Sequence, residues 1–244
     1  MITLITLTQG NPIALKRTVD NVTDRFGGLV NEVVIGDMCI FEDDRKEINV
    51  GKLVQLPFNY LFVNGFGKTL NTLAGYATND IVLYMNVGEV VDSVVNFKSG
   101  YNCWMFDHAQ ETHKWIRMYN RHQLRWSGRI HEEVVGNRNV CPDILFTMAD
   151  TEKDPDPFKS QVYNDIKELV YFNQYITLID QPQEIGATNQ GWVAYAKRDY
   201  DYIRKRMKDK GARLQAMIEG DLQKYLAHCT EFQPQSNSDL IHFQ

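Results

Sequence analysis

The sequence predicts an α/β fold, a mostly parallel sheet flanked by helices, with a C-terminal helical extension. Three observations carry this. Short apolar runs alternate with segments of helical periodicity through the first 92 residues, the order that β-α-β crossovers produce. The run Ile81 to Met85 is continuously apolar, as a strand covered on both faces is. Three predicted strands pass abruptly into polar residues, at Thr8, at Asp37 and at Asn86-Val87-Gly88-Glu89. In an open α/β sheet, ligands sit in the crevice beyond the strand ends.

Taken in order, Ile2 to Thr8 alternates apolar residues with threonine and suits a strand. Gln9-Gly10-Asn11-Pro12 reads as a turn, with Pro12 suited to a helix start. Leu15, Val19 and Val22 mark one face of that helix, and Gly27-Gly28 breaks it. Glu32 to Asp37 is the second strand, Cys39 to Lys46 is acidic and irregular, and Leu53 to Leu56 is a short third strand before Pro57. Gly65 and Gly67 mark a turn, after which Leu70, Leu73, Ala74 and Ala77 recur at helical spacing. Asn79-Asp80 stops this helix, and the Ile81 to Met85 strand and its polar turn follow. Tyr101 to His108, Lys114 to Tyr119 and Ile144 to Ala149 are further strands. Asp150 to Pro157, polar with two prolines, is the best linker candidate. Helical patterns then cover Lys159 to Ile179, Gly191 to Arg206 and Ala212 to His228, and the tail from Gln233 is polar. The expected division is a domain at 1–150, a helical extension at 158–230 and a tail at 231–244.

The 244 residues suffice for one large domain, or one domain with an extension. With 26 basic and 31 acidic residues the formal charge is −5, which disfavours broad electrostatic binding to nucleic acid. A local exception is Lys197 to Leu214, where eight basic residues face three acidic ones and Tyr200 and Tyr202 are interleaved. Such a helix suits nucleic acid, an anionic membrane surface, or plain solvation. No apolar run reaches the ~18 residues of a transmembrane helix. The opening M-I-T-L-I-T-L-T lacks a basic n-region and reads as a strand rather than a signal peptide. The expected location is cytoplasmic, with a membrane-peripheral placement as the variant. The four cysteines are far apart, without a CxxC, and read as free thiols.

Several blocks resemble the family 2 glycosyltransferases of the GT-A fold. Asp37 follows V-V-I-G, where that family's second strand ends in acidic residues. N-G-F-G-K-T-L-N spans Asn64 to Asn71, and A-T-N-D spans Ala77 to Asp80. R-M-Y-N-R-H-Q-L-R-W-S-G-R-I-H-E, from Arg117 to Glu132, resembles the R-x-(F/Y)-x-R … G-x-(V/I)-H-E block of the lipopolysaccharide-core glucosyltransferase-like branch. The resemblance covers residues 2 to 150. It implies a GT-A, nucleotide-diphospho-sugar transferase domain moving a sugar, glucose or a relative, from a UDP-linked donor to an acceptor hydroxyl. That acceptor would be a glycan, a lipid-linked group or another hydroxyl compound, and inversion is the family expectation.

Carried onto this sequence, the resemblance puts Thr8 and Asp37 at the nucleoside and Lys68 and Asn71 near the sugar or ribose. Asn86, Glu89, His131 and Arg129 would face the diphosphate, and Glu132 would be the catalytic base. Arg117, Arg121 and Arg125 add positive charge suited to phosphates. One departure stands out. Where the family carries Asp-x-Asp-Glu to hold Mn or Mg, this chain reads Asn86-Val87-Gly88-Glu89. Hard divalent cations prefer anionic oxygens, so three readings stay open. Glu89 and His131 hold a divalent cation with fewer carboxylates, or basic side chains take the diphosphate without metal, or the chain is a degenerate nucleotide- or glycan-binding protein. A transferase acting on a modified nucleic-acid base is a further alternative, through Lys197 to Leu214.

Overall fold

The computed structural model describes residues 1–39, 42–56, 60–93, 98–108, 114–129, 132–149, 157–180 and 197–218. The chain opens with β1 (Ile2–Thr8), α1 (Pro12–Arg25), β2 (Val30–Asp37), α2 (Glu42–Glu47), β3 (Lys52–Gln55), α3 (Tyr60–Gly75) and β4 (Ile81–Tyr84). There follow β5 (Glu89–Ser93), β6 (Cys103–His108), β7 (Lys114–Asn120), β8 (Leu124–Ser127), β9 (Glu133–Gly136) and β10 (Val140–Ala149). Two long helices close the described chain, α4 (Pro157–Asp180) and a last helix, α5 (Tyr200–Ile218).

Eight strands form one sheet in the order β3-β2-β1-β4-β7-β6-β10-β5, and β8 and β9 form a separate antiparallel pair. Strands β3, β2, β1 and β4 run parallel. Strand β7 runs antiparallel to β4 and β6, β6 is parallel to β10, and β5 is an antiparallel edge. The chain winds outward from β1 to β2 and β3, then returns through α3 to the other side of β1 as β4. The strand order therefore reverses between β1 and β4, and the crevice beyond their carboxyl ends is where such sheets take ligands.

The period-2 alternation of the strands divides the core between two faces. Ile2 and Leu4, Leu83 and Met85, and Met118 pack with Leu15, Val19 and Val22 of α1. Ile5, Val82, Tyr84 and Tyr119 pack on the opposite face with Leu70 and Leu73 of α3 and Val162, Ile166, Leu169 and Val170 of α4. The first helix beyond residue 150 thus shares the sheet's own core.

The sheet is not flat. Four residues separate β4 from β5, yet β5 pairs with β10, four positions away in the strand order. Flat strands would place them ~19 Å apart. The intervening chain can reach only ~17 Å when extended, and it turns tightly, with Glu89 N–H donating to Asn86 O at 3.1 Å. The far edge therefore bends back beside the end of β4.

Local details depart from the predicted pattern in four places. The acidic segment read as irregular contains α2. The polar turn after β4 passes directly into β5. Helix α3 begins at Tyr60, before the glycines, and kinks at Gly65. One helix, α5, crosses the break predicted between residues 206 and 212. The start of the predicted Gly191 to Arg206 helix and the end of the Ala212 to His228 helix lie outside the described residues. So do most of the linker candidate and the tail.

Candidate functional site

Thr8 and Asp37 are direct partners in the β1–β2 ladder, so both stand at the crevice end. Thr8 Oγ1 donates to Gly10 O at 2.6 Å and accepts from Gly10 N–H at 3.2 Å, fixing the turn into α1. Asn11 caps that helix, its Oδ1 accepting from Ala14 N–H at 2.9 Å. Asp37 is fully buried; its carboxylate accepts from Cys39 N–H at 2.9 Å and Arg45 Nε at 2.6 Å. Arg45 also donates to Glu42 and to Cys39 O. Six-residue α2 is thereby tied to the end of β2, and its acidic first turn and basic last turn suit the helix dipole.

Asn86 and Glu89 form a closed turn. Glu89 Oε2 accepts from Asn86 N–H at 2.7 Å and Glu89 Oε1 from Asn86 Nδ2 at 2.8 Å. Asn86 Oδ1 accepts from the Tyr84 hydroxyl at 2.5 Å. Gly88 N–H donates to Thr18 Oγ1 at 3.0 Å, fastening the turn to α1. Arg117 Nη1 completes the group, at 2.5 Å from Glu89 Oε2, with its guanidinium over the Tyr84 ring at 5.8 Å. Both partners of this ion pair are about nine-tenths buried.

Arg117 owes its position to a bulge. The β6–β7 ladder pairs Trp104 with Met118 and Met105 with Ile116, so Arg117 is an extra residue on β7. Ile116 packs on the α3/α4 face and Met118 on the α1 face, although residues two apart normally share a face. The bulge turns two successive side chains, Ile116 and Arg117, toward the face that holds Tyr84.

The N-G-F-G motif is a backbone docking site. Phe66 N–H donates to Arg129 O at 2.8 Å and Gly67 N–H to Gly128 O at 3.1 Å. A Cβ on Gly67 would stand 2.4 Å from Gly128 O, and one on Gly65, whose φ is +73°, would stand 2.7 Å from Arg129 Cα. Only glycine permits both approaches. Asn71 adds a second clamp: its Nδ2 donates to Trp126 O at 2.8 Å and its Oδ1 accepts from Trp126 N–H at 2.9 Å. Together they position the segment that leads to Glu132. Lys68 lies exposed on α3.

Glu132 is partly buried and immediately precedes β9. Burial raises its carboxyl above the usual range, against the opposing effects of a backbone hydrogen bond and the Arg117 charge. Burial likewise raises the Tyr84 and Tyr171 hydroxyls, with the Glu132 charge adding to both. Glu132, Arg117, Tyr84 and Tyr171 therefore share one electrostatic neighbourhood, which Glu89 joins through Arg117 and Tyr84. From α4, Tyr171 reaches this neighbourhood and its ring lies 5.3 Å from that of Phe66. Arg129 Nε donates to Gln174 Oε1 at 2.9 Å, and Gln174 Nε2 donates to Leu61 O at 2.8 Å, joining the loop, α4 and α3.

Asn86 and Glu89 are thus joined directly, Glu132 shares their electrostatic neighbourhood through Tyr84 and Arg117, and Thr8 and Asp37 stand on the neighbouring strand ends. Asn71 and Arg129 hold the segment before Glu132. His131 lies outside the described residues. Tyr171 and Gln174 went unforeseen, since no local pattern on an amphipathic helix distinguishes them from its other polar positions. Of the four arginines in the Arg117 to Arg129 block, Arg121 turns to the opposite end of the sheet, where Nε donates to Asn79 O at 2.8 Å. Arg125 is exposed on β8. On α5, Lys210 is buried against Asp165 at 2.8 Å and Glu168 at 3.0 Å, and Arg206 pairs with Glu168 at 3.3 Å. Part of that helix's basic charge is therefore spent inside the protein. No described helix is long and apolar enough to cross a membrane.

A divalent cation would need several hard oxygen donors. The Asn86 to Glu89 turn itself supplies one carboxylate, Glu89, with both oxygens engaged by N–H groups and one of them also by a guanidinium. Among the described residues no group of three His, Cys, Asp or Glu side chains is placed to hold a metal. The described donor set does not fit such an ion.

No protein-family profile matches the sequence, and no curated protein sequence matches it. Solved structures similar to this chain include glucosyl-3-phosphoglycerate synthase from Mycobacterium tuberculosis, in complex with Mn2+, UDP and phosphoglyceric acid. It is 12% identical, with 45% of this chain and 44% of that one covered and a TM-score of 0.33. This chain thus matches less than half the length of that synthase. Mannosyltransferase PcManGT from Pyrobaculum calidifontis, in complex with GDP-Man and Mn2+, is 11% identical over 94% of this chain and 79% of that one, with a TM-score of 0.45. S. aureus TarS 1-349 in complex with UDP-GlcNAc is 11% identical over 93% of this chain and 90% of that one, with a TM-score of 0.40.

Proposed function

We propose that this chain is a GT-A-type glycosyltransferase that moves a sugar from a nucleoside diphosphate donor to an acceptor hydroxyl. One observation carries the reading. Beside Tyr84 at the end of β4, a carboxylate whose pKa burial raises, Glu132, shares its surroundings with a buried guanidinium, Arg117. The first can accept a proton, and the second can meet a phosphate. The motif resemblance adds the donor class, UDP-linked, and glucose or a relative as the sugar.

In this reading the acceptor oxygen attacks the anomeric carbon while Glu132 takes its proton. The bond from that carbon to the diphosphate oxygen breaks, and its electron pair leaves with the nucleoside diphosphate. Attack opposite the leaving group inverts the anomeric centre. Thr8 shapes the turn beside the nucleoside, and Asp37, fully buried, holds Cys39, and Arg45 of α2, beside it. Lys68, exposed at the kinked helix, lies on the sugar side. Arg129 and Asn71 act on the chemistry by holding the segment that carries Glu132.

The test is release of nucleoside diphosphate from a panel of UDP-, GDP-, CDP- and dTDP-sugars, with simple glycosides as acceptors and with manganese present or absent. The expected result is turnover by the parent and loss of turnover in Glu132→Gln. No hydrolysis or transfer in any condition would count against the enzyme. A second reading, binding without turnover, draws on the closed Asn86 to Glu89 turn. Calorimetric binding of a nucleotide sugar that is never consumed would favour it.

A further inference from the structure

Resting on that reading, we propose that Arg117 is the built-in cation of this site, and that the chain binds its nucleoside diphosphate without a divalent metal. The argument begins with the donor set. Glu89 is the carboxylate a metal would need at the Asn86 to Glu89 turn. Its Oε2 is shared by Asn86 N–H and Arg117 Nη1, and its Oε1 accepts from Asn86 Nδ2. A divalent cation bound to Glu89 would have to displace these donors and then stand beside a positive guanidinium. Asn86 brings no charge, its Oδ1 accepts from the Tyr84 hydroxyl, and Gly88 has no side chain.

The same contacts that exclude a metal hold the guanidinium in place. Arg117 is raised on a bulge, paired with Glu89, and set over the face of Tyr84. An ordered cation loses little freedom when an anion arrives. A guanidinium carries five N–H donors in a planar fork, a geometry that suits contact with more than one anion. During transfer the leaving diphosphate gains one negative charge as the anomeric bond breaks. A fixed guanidinium at the end of β4 would stabilise that charge as it develops.

The experiment is isothermal calorimetry on the full chain with UDP, GDP, CDP and dTDP, and with the matching nucleosides, in EDTA and in manganese chloride. The expected result is diphosphate affinity that changes less than ~3-fold between EDTA and manganese. Arg117→Met should weaken the diphosphate at least ~10-fold while leaving the nucleoside's affinity unchanged. Removing one member of a buried pair can unfold a protein. The double variant Arg117→Met/Glu89→Gln therefore removes both charges together and should show the same selective loss, with Arg117→Lys between the two. Manganese tightening the parent's binding ~10-fold or more overturns the inference and leaves the transferase reading standing. Unchanged diphosphate affinity in both Arg117→Met and the double variant also overturns it. No nucleotide binding in either condition overturns both.

Discussion

The two ends of the sheet use the same residue types for opposite purposes. At the amino end of β1, β2 and β4, Glu32 Oε2 accepts from Thr3 Oγ1 at 2.5 Å, Thr78 N–H at 2.7 Å and Thr78 Oγ1 at 2.9 Å. Burial pushes this carboxyl up, but those hydrogen bonds and the Lys52 charge outweigh it and leave the group below its usual range. Arg121 there donates to the carbonyls of Asn79 and Ala74. At the carboxyl end, four residues earlier in the chain, Arg117 on β7 pairs with Glu89, and Glu132 is held above its usual range by burial. A carboxylate supplied with donors is content in its charged form and serves as a staple. One that is buried and under-supplied keeps its affinity for a proton. The contrast separates the end that holds the fold from the end that can do chemistry.

The largest expected effect lies at the carboxyl end. Glu132→Gln should lower transfer by ~10²–10⁴-fold, the usual worth of a positioned base. The sign for stability is the reverse of a staple's. The folded state binds the Glu132 proton more tightly than the unfolded state, so this contribution is present below the unfolded pKa and lost as pH rises through the folded one. The variant should therefore melt at the parent's temperature or above it at alkaline pH. The parent's rate should rise with pH through the raised Glu132 value. A large fall in melting temperature with activity retained would erase the contrast.

Gly67→Ala tests the link that brings Glu132 to the crevice. Its Cβ would meet Gly128 O at 2.4 Å, and the segment must shift. Overpacking of this kind costs ~1–3 kcal/mol, and a ~1 Å displacement of a catalytic group costs ~100-fold in rate. Gly75→Ala, where a Cβ meets nothing within 4 Å, should change neither. Equal behaviour of the two variants in melting and turnover would remove the docking role from the motif.

The smallest effect belongs to the amino end. Glu32→Gln should cost ~1 kcal/mol at neutral pH, from weakened hydrogen bonds, with turnover unchanged. The depressed carboxyl stabilises the parent above the unfolded pKa, and this is lost as pH falls through the folded value. Urea titrations of parent and variant should differ at neutral pH and converge once the pH falls below the usual carboxylate range. A loss of turnover at neutral pH would show that the two ends are coupled.

Much of this was legible in the sequence, and unevenly. The β1-α1-β2 unit and the Ile81 to Met85 strand could be read because burial on defined faces leaves a period in the chain. Helix α2 could not, because six charged residues have no apolar period, and its link to the sheet is the Arg45–Asp37 pair. Strand β5 hid behind a polar start, since Glu89 is buried by its pairing with Arg117 and not by apolar character. The break expected between Arg206 and Ala212 is not there, because α5 runs through Gly211 with open space where a side chain would be. In the site, Asn86, Glu89 and Glu132 could be found from their motifs. The prominence of Arg117 over its neighbouring arginines could not, because the bulge that aims it depends on register with β6. Tyr171 and Gln174 arrive from a helix some forty residues away, and only packing brings them there.

The contact between the glycine motif and the segment before Glu132 is made by main chain alone, Phe66 N–H to Arg129 O and Gly67 N–H to Gly128 O. Address and content are therefore written in different parts of the polypeptide. The glycines on α3 say where the segment lies, and the side chains on the segment say what it does there. Exchanges among those side chains leave the docking bonds the same in kind. One scaffold can in this way try out new substrates residue by residue without first losing the place where the chemistry is delivered.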